Sequence, residues 1–137
     1  MREATQKIRL ILVDDEAEFL ASTAAALIRR GIDVTTARSG WIALELLNDQ
    51  KFDVAILDLK MPGMSGKVLH SEIKRRCPDM PVIILTGHGN SEQVGHFSKE
   101  GIFHYLSKPC DMETLVSVTR QSVDKYWQRW FRRLNLS

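Results

Sequence analysis

The sequence predicts an open α/β sheet of five parallel strands with helices packed on both faces. Three observations carry this. Short, nearly continuous apolar runs alternate with longer amphipathic segments along the whole chain. The runs are four to six residues long, as strands covered on both sides require. Polar residues directly follow four of the five runs, which places chemistry at one edge of the sheet.

The predicted elements follow in chain order. Ile8 to Val13 (IRLILV) is the first strand. Ala17, Leu20, Ala24, Leu27 and Ile28 then mark one helical face, which Gly31 stops. Ile32 to Thr36 is a weaker strand, followed by a helix with Trp41, Leu44 and Leu47 on one face and Ser39 as its cap. Val54 to Leu57 is the third strand. Val68, Leu69 and Ile73 mark the next helix, which ends near Cys77 before Pro78. Val82 to Leu85 is the fourth strand. Asn90 to Lys99 is predicted as the fourth helix, with Asn90 as cap, Gln93 reaching back to it, and Gly101 as stop. Ile102 to Leu106 is the fifth strand, and a last helix starts at Asp111 and runs toward Leu134. Five β–α units in this order build a sheet with right-handed crossovers and helices on both sides.

The chain of 137 residues fits one domain and can bury about two thirds of its unfolded surface. Hydrophobic residues at 44% and charged residues at 26% match a soluble globular protein. A net charge of +2 does not argue for direct nucleic-acid binding. Lys125, Arg129, Arg132 and Arg133 crowd the C-terminus with no acid among them, so the body is slightly acidic and the tail basic. Cys77 and Cys110 have no metal-ligand spacing and read as reduced thiols. The N-terminus has no signal-peptide run and no segment approaches a membrane span, so a soluble cytoplasmic protein is expected.

Asp14-Asp15 follow the first strand, Asp58 the third, Thr86 the fourth, and Ser107-Lys108 the fifth. Open α/β sheets bind ligands beyond the carboxyl ends of their strands, where strand order reverses. With order 2-1-3-4-5 the first and third strands are neighbours there, and Asp14, Asp15 and Asp58 converge beside Thr86 and Lys108. Crowded carboxylates either take up protons or gather a cation. Hard oxygen ligands without nearby histidine or cysteine select magnesium or a similar ion such as manganese. Lys108 suits a phosphoryl oxygen as a point charge, and the Thr86 hydroxyl can donate to another. A carboxylate in such a site is a nucleophile toward phosphorus. Each residue also has a plainer reading: a helix cap for Asp14, a strand end for Thr86, core for Tyr105. Gly87-His88-Gly89 does not continue as a dinucleotide fingerprint, because Glu92 stands at the third glycine. Gly-Lys at 66–67 is followed by Val68 where a P-loop needs Ser or Thr.

LVDDE at 12–16, LDLKMPGMSG at 57–66, ILTGHG at 84–89 and YLSKP at 105–109 stand in fixed order. From about Ile8 to Val123 the chain resembles the receiver domain of two-component response regulators. The resemblance implies a flavodoxin-like, doubly wound sheet of order 2-1-3-4-5 with an extended fifth helix. It implies that Asp58 is the phosphoacceptor, Asp15 a direct magnesium ligand, and Asp14 a ligand through water, with the Lys60 carbonyl completing the site. Thr86 and Tyr105 would form the switch pair, and the Lys108–Pro109 peptide would be cis. The implied donor is a sensor histidine kinase or a histidine phosphotransfer protein. The implied target is a downstream protein or an output domain. No chemistry beyond self-phosphorylation and self-dephosphorylation is expected. Lys60 and His88 stand two residues after Asp58 and Thr86, where receiver side chains overhang the phosphoryl group and tune its lifetime.

Two further expectations come from the residues. The segment 90–99 has few apolar anchors, and Gly95 costs about 1 kcal/mol against alanine in a helix interior. It is therefore a natural place for a switch to act, gaining hydrogen-exchange protection on phosphorylation. The chain divides into a domain at 1–124 and a helical extension at 125–137. Trp127, Trp130, Phe131 and Leu134 overrun the sheet and, with interleaved arginines, have interface composition. A homodimer or partner contact, a linker to an output domain, and folding back as core all remain open for them. Two rival functions are weaker. A magnesium phosphohydrolase using an aspartyl-phosphate needs an acid where Lys60 stands, and a phosphate-independent dimerising module needs none of the acids, threonine or lysine present.

Overall fold

The computed structural model describes residues 6–87 and 101–135, the last ten of these as helix backbone only. Its elements are β1 (Arg9–Val13), α1 (Ala17–Arg29), β2 (Asp33–Ala37), α2 (Gly40–Asp49), β3 (Val54–Leu57), α3 (Gly66–Arg76), β4 (Val82–Thr86), β5 (His104–Ser107) and a C-terminal helix, α4 (Met112–Asn135). The expected helix at 90–99 lies outside the described residues. The five strands are all parallel and ordered β2-β1-β3-β4-β5, as the sequence predicts.

Alternation along the strands sorts their side chains into two layers. Leu10, Leu12, Val54, Ile56, Ile83 and Leu85 face α1 and α4, where Leu20, Leu27, Leu115 and Val118 cover them. Ile11, Val13, Ala55, Leu57, Val82 and Ile84 face α2 and α3, where Ala43, Leu44, Leu69 and Ile73 cover them. Strands buried on both sides explain why the runs are continuously apolar rather than alternating.

Local signals fix the helix ends. Ser39 and Ser65 accept from the backbone N–H groups of Ile42 and Val68, capping α2 and α3. Asp111 accepts from the Thr114 N–H and hydroxyl at the start of α4, which holds its carboxyl below the usual range. Gly31, at φ 85°, closes the α1 end in the left-handed conformation that glycine tolerates.

Three expected helix-face residues sit elsewhere. Trp41 is 65% exposed, and Val68 and Ile28 are also exposed. On α2 the sheet is met by Ala43 and Leu44, while Gly40 is buried against Met64. A small residue sets the close approach there, and counting apolar side chains does not register it.

Candidate functional site

The site is built by the register of β1 and β3. Val13 pairs with Leu57, so Asp14 and Asp58 leave the ends of adjacent strands side by side. The Asp58 N–H donates to the Val13 carbonyl at 3.1 Å, and the Asp14 N–H donates to the Ala37 carbonyl at 3.1 Å. Both acids are thereby tied to the sheet, and both are buried, Asp58 being 2% exposed. The edge where they meet is the point at which strand order reverses.

Asp58 Oδ1 accepts from the Leu59 N–H at 2.8 Å, which orients its carboxylate. Gly66 explains how the following loop folds back. Its N–H donates to the Leu59 carbonyl at 2.8 Å, and a β-carbon there would collide with the Asp58 carbonyl oxygen. Only glycine admits that approach. Asp14 Oδ1 accepts from the Glu16 N–H at 2.9 Å, which turns the chain after β1.

Lys108 enters from the end of β5, its own N–H bonded to the Thr86 carbonyl. Its ammonium donates to Asp14 Oδ2 at 2.6 Å and lies 3.6 Å from Glu16 and 3.8 Å from Asp58. The Phe19 ring centroid is 3.9 Å away. Burial alone would lower the Lys108 pKa, but the hydrogen bond and charge of Asp14, helped by Asp58 and Glu16, carry it upward. The ammonium is charged throughout the neutral range. The Lys108–Pro109 peptide is cis, as the resemblance implies.

Thr86 ends β4 with its side chain buried. Ile84 pairs with Tyr105, so Tyr105 points to the same side of the sheet as Thr86, one alternation away. Burial, and then the negative charge of Asp58, push the Tyr105 phenol above its ordinary value. The Tyr105 hydroxyl is buried without a hydrogen-bond partner among the described residues.

Among the described residues, Asp14, Glu16 and Asp58 each offer one carboxylate oxygen that lies within 4.8 Å of the other two. Asp15 is half-buried and stands outside that group. The structure thus brings together Asp14, Asp58 and Lys108 as expected, and adds Glu16 and Phe19, to which the sequence reading gave no role. Glu16 was visible as the last letter of LVDDE, but three consecutive acids do not reveal which one turns inward. Lys60 is exposed beside Asp58. His88 lies outside the described residues. The α4 backbone passes through Trp127, Trp130, Phe131 and Leu134, whose side chains also lie outside them.

Three carboxylates converge, and among the described residues no sulfur or imidazole joins them, a donor set that fits a hard divalent cation. One lysine ammonium cannot neutralise them all. Among the described residues no helix is long and apolar enough to cross a membrane.

Residues 10–120 match the family described as the response regulator receiver domain. The chain is 38% identical over 125 residues to the transcriptional regulatory protein GlrR of Escherichia coli (strain K12), covering 88% of this chain and 28% of that protein. It is 34% identical over 118 residues to the DNA-binding transcriptional regulator NtrC of Klebsiella pneumoniae, covering 86% and 25%. It therefore spans about a quarter of the length of these curated relatives. A response regulator receiver domain protein from Clostridium thermocellum superposes with a TM-score of 0.82 at 35% identity, covering 86% of this chain and 95% of that one. A CheY-like receiver domain protein from Methanospirillum hungatei JF-1 gives 0.86 at 26% identity, covering 90% and 99%. Sequence match, strand order and the acid–lysine crevice agree, and the chain belongs to the response regulator receiver domain family.

Proposed function

We propose that Asp58 accepts a phosphoryl group from a phosphohistidine of a sensor histidine kinase or phosphotransfer protein in a two-component relay. The observation that carries the reading is the Asp58 carboxylate itself. It is buried at the strand-order reversal, oriented by the Leu59 N–H, and 3.8 Å from the Lys108 ammonium. An Asp58 oxygen attacks phosphorus; the P–O bond forms as the donor's P–N bond breaks, and imidazole leaves with the electron pair. Lys108 moves from Asp14 toward a phosphoryl oxygen, and Thr86 donates its hydroxyl to another.

Asp14, Asp15 and Asp58, with the Lys60 carbonyl, would hold magnesium or manganese, and Glu16 is close enough to share in it. When bound, the cation supplies the positive charge that lets carboxylates and phosphoryl oxygens occupy one crevice.

Thr86 and Tyr105 form the switch. As the Thr86 hydroxyl turns to phosphate, the Tyr105 ring swings into the space it leaves. Lys60 and His88 tune how fast water removes the phosphoryl group. The domain at 1–124 acts in the cytoplasm on a downstream protein or an output domain, and the extension at 125–137 supplies a homodimer or partner contact. Its chemistry is self-phosphorylation and self-dephosphorylation. Incubation with a small acyl phosphate and magnesium, read by intact mass, tests the reading. Wild type gains one phosphoryl group and Asp58→Asn gains none; no gain in wild type would sink it.

A further inference from the structure

We infer that Phe19 is a positioning residue for Lys108, its ring face forming the wall that keeps the ammonium within reach of Asp58. The inference rests on the acceptor reading and extends it to a residue of α1. The Lys108 ammonium meets Asp14 at 2.6 Å, Glu16 at 3.6 Å, Asp58 at 3.8 Å and the Phe19 ring centroid at 3.9 Å. These four neighbours do not pull alike. Asp14 and Asp58 are buried, whereas the Glu16 side chain is 63% exposed and draws the ammonium toward the mouth of the crevice.

A lysine stem has four rotatable carbons and a compact, strongly hydrated head, so it follows the best-solvated partner unless something confines it. An aromatic face attracts a cation through its quadrupole but accepts no conventional hydrogen bond. Phe19 thus holds the ammonium without engaging an N–H donor. Its donors stay available to move from Asp14 to a phosphoryl oxygen when Asp58 is modified. The ring is itself fixed, being packed against the layer that contains Leu20, Leu27 and Leu115. Lys108 is 15% exposed, so this contact is partly desolvated, where such attractions are stronger.

Phe19 is half-buried, so a contact between it and a protein donor must be kept out of the test. The test therefore uses a small acyl phosphate, with wild type, Phe19→Leu and Phe19→Tyr compared in magnesium buffer. Two readouts are taken. In nuclear magnetic resonance spectra, the ring current shields the Lys108 ε-methylene protons in wild type and Phe19→Tyr, and they return to ordinary lysine positions in Phe19→Leu. Phosphoryl uptake slows about two- to fivefold in Phe19→Leu and stays at the wild-type rate in Phe19→Tyr. Unshifted Lys108 protons in wild type, an undiminished rate in Phe19→Leu, or Phe19→Tyr as slow as Phe19→Leu would overturn the inference. If Phe19→Leu does not fold, Phe19→Met takes its place with the same expected outcomes. If wild type takes up no phosphoryl group, the acceptor reading fails, and the resonance comparison still decides whether Phe19 holds Lys108.

Discussion

Lys108 donates its short hydrogen bond to Asp14, at 2.6 Å, and not to the proposed acceptor, from which it stands 3.8 Å away. Among the described residues, Lys108 is the cation that meets a crevice in which one carboxylate oxygen from each of Asp14, Glu16 and Asp58 lies within 4.8 Å of the other two. Like charges so placed oppose folding until a cation joins them.

Relief of that crowding has a measurable sign. In divalent-free buffer, Asp58→Asn is expected to be more stable than wild type by roughly 1 kcal/mol, a shift of a few degrees in melting temperature. On the proposed reading magnesium should raise the wild-type midpoint progressively, because it would bind the folded site and not the unfolded chain. It should raise that of Asp58→Asn much less, and chelation should reverse both changes. Thermal melts across a magnesium series check this; equal magnesium responses in the two proteins would remove Asp58 from the metal site.

Gly66 couples the fold to Asp58, the proposed acceptor. A β-carbon there would strike the Asp58 carbonyl oxygen and lie 2.8 Å from Leu59 Cα, and both neighbours are backbone that cannot rotate away. Gly66→Ala should therefore cost about 1–3 kcal/mol, measured by urea unfolding. It should also slow phosphoryl uptake by displacing Asp58. Wild-type uptake in a destabilised Gly66→Ala would show that the loop yields without moving the acceptor.

Strand order, strand ends and the three anchors Asp14, Asp58 and Lys108 were legible, because continuous apolar runs end in polar residues at one edge. The fifth strand was less so. Ile102 and Phe103 belong to its apolar run but precede the ladder, which begins where His104 pairs with Ile83. Trp41 reads as a core residue by periodicity, yet the buried contact at that end of α2 is made by Gly40 on Met64. Glu16 and Phe19 reach Lys108 through the turn after β1 and the first turn of α1, a tertiary meeting that no local pattern encodes.

Tyr105 offers a test by pH. Its phenol is raised by burial and by the Asp58 charge, so the folded state holds its proton more tightly than the unfolded chain. That contribution is fully present below the unfolded value of about 10 and is lost as pH rises through the folded one. Tyr105→Phe should lose this alkaline dependence. At neutral pH it should be as stable as wild type or up to about 1 kcal/mol more so, since the hydroxyl it removes is buried without a partner among the described residues. In a Tyr126→Phe background, near-ultraviolet titration should show Tyr105 ionising at lower pH once Asp58→Asn is added. An unchanged titration would separate Tyr105 from the acceptor's field.

The most direct test of the account locates the phosphoryl group on the chain. After reaction with a small acyl phosphate and magnesium, borohydride reduces an aspartyl phosphate to homoserine, and peptide mass mapping finds the converted residue. Conversion at position 58, and at no other aspartate, is the predicted result. Conversion at Asp14 or Asp15, or an unmodified chain under conditions where magnesium raises its melting temperature, would contradict it.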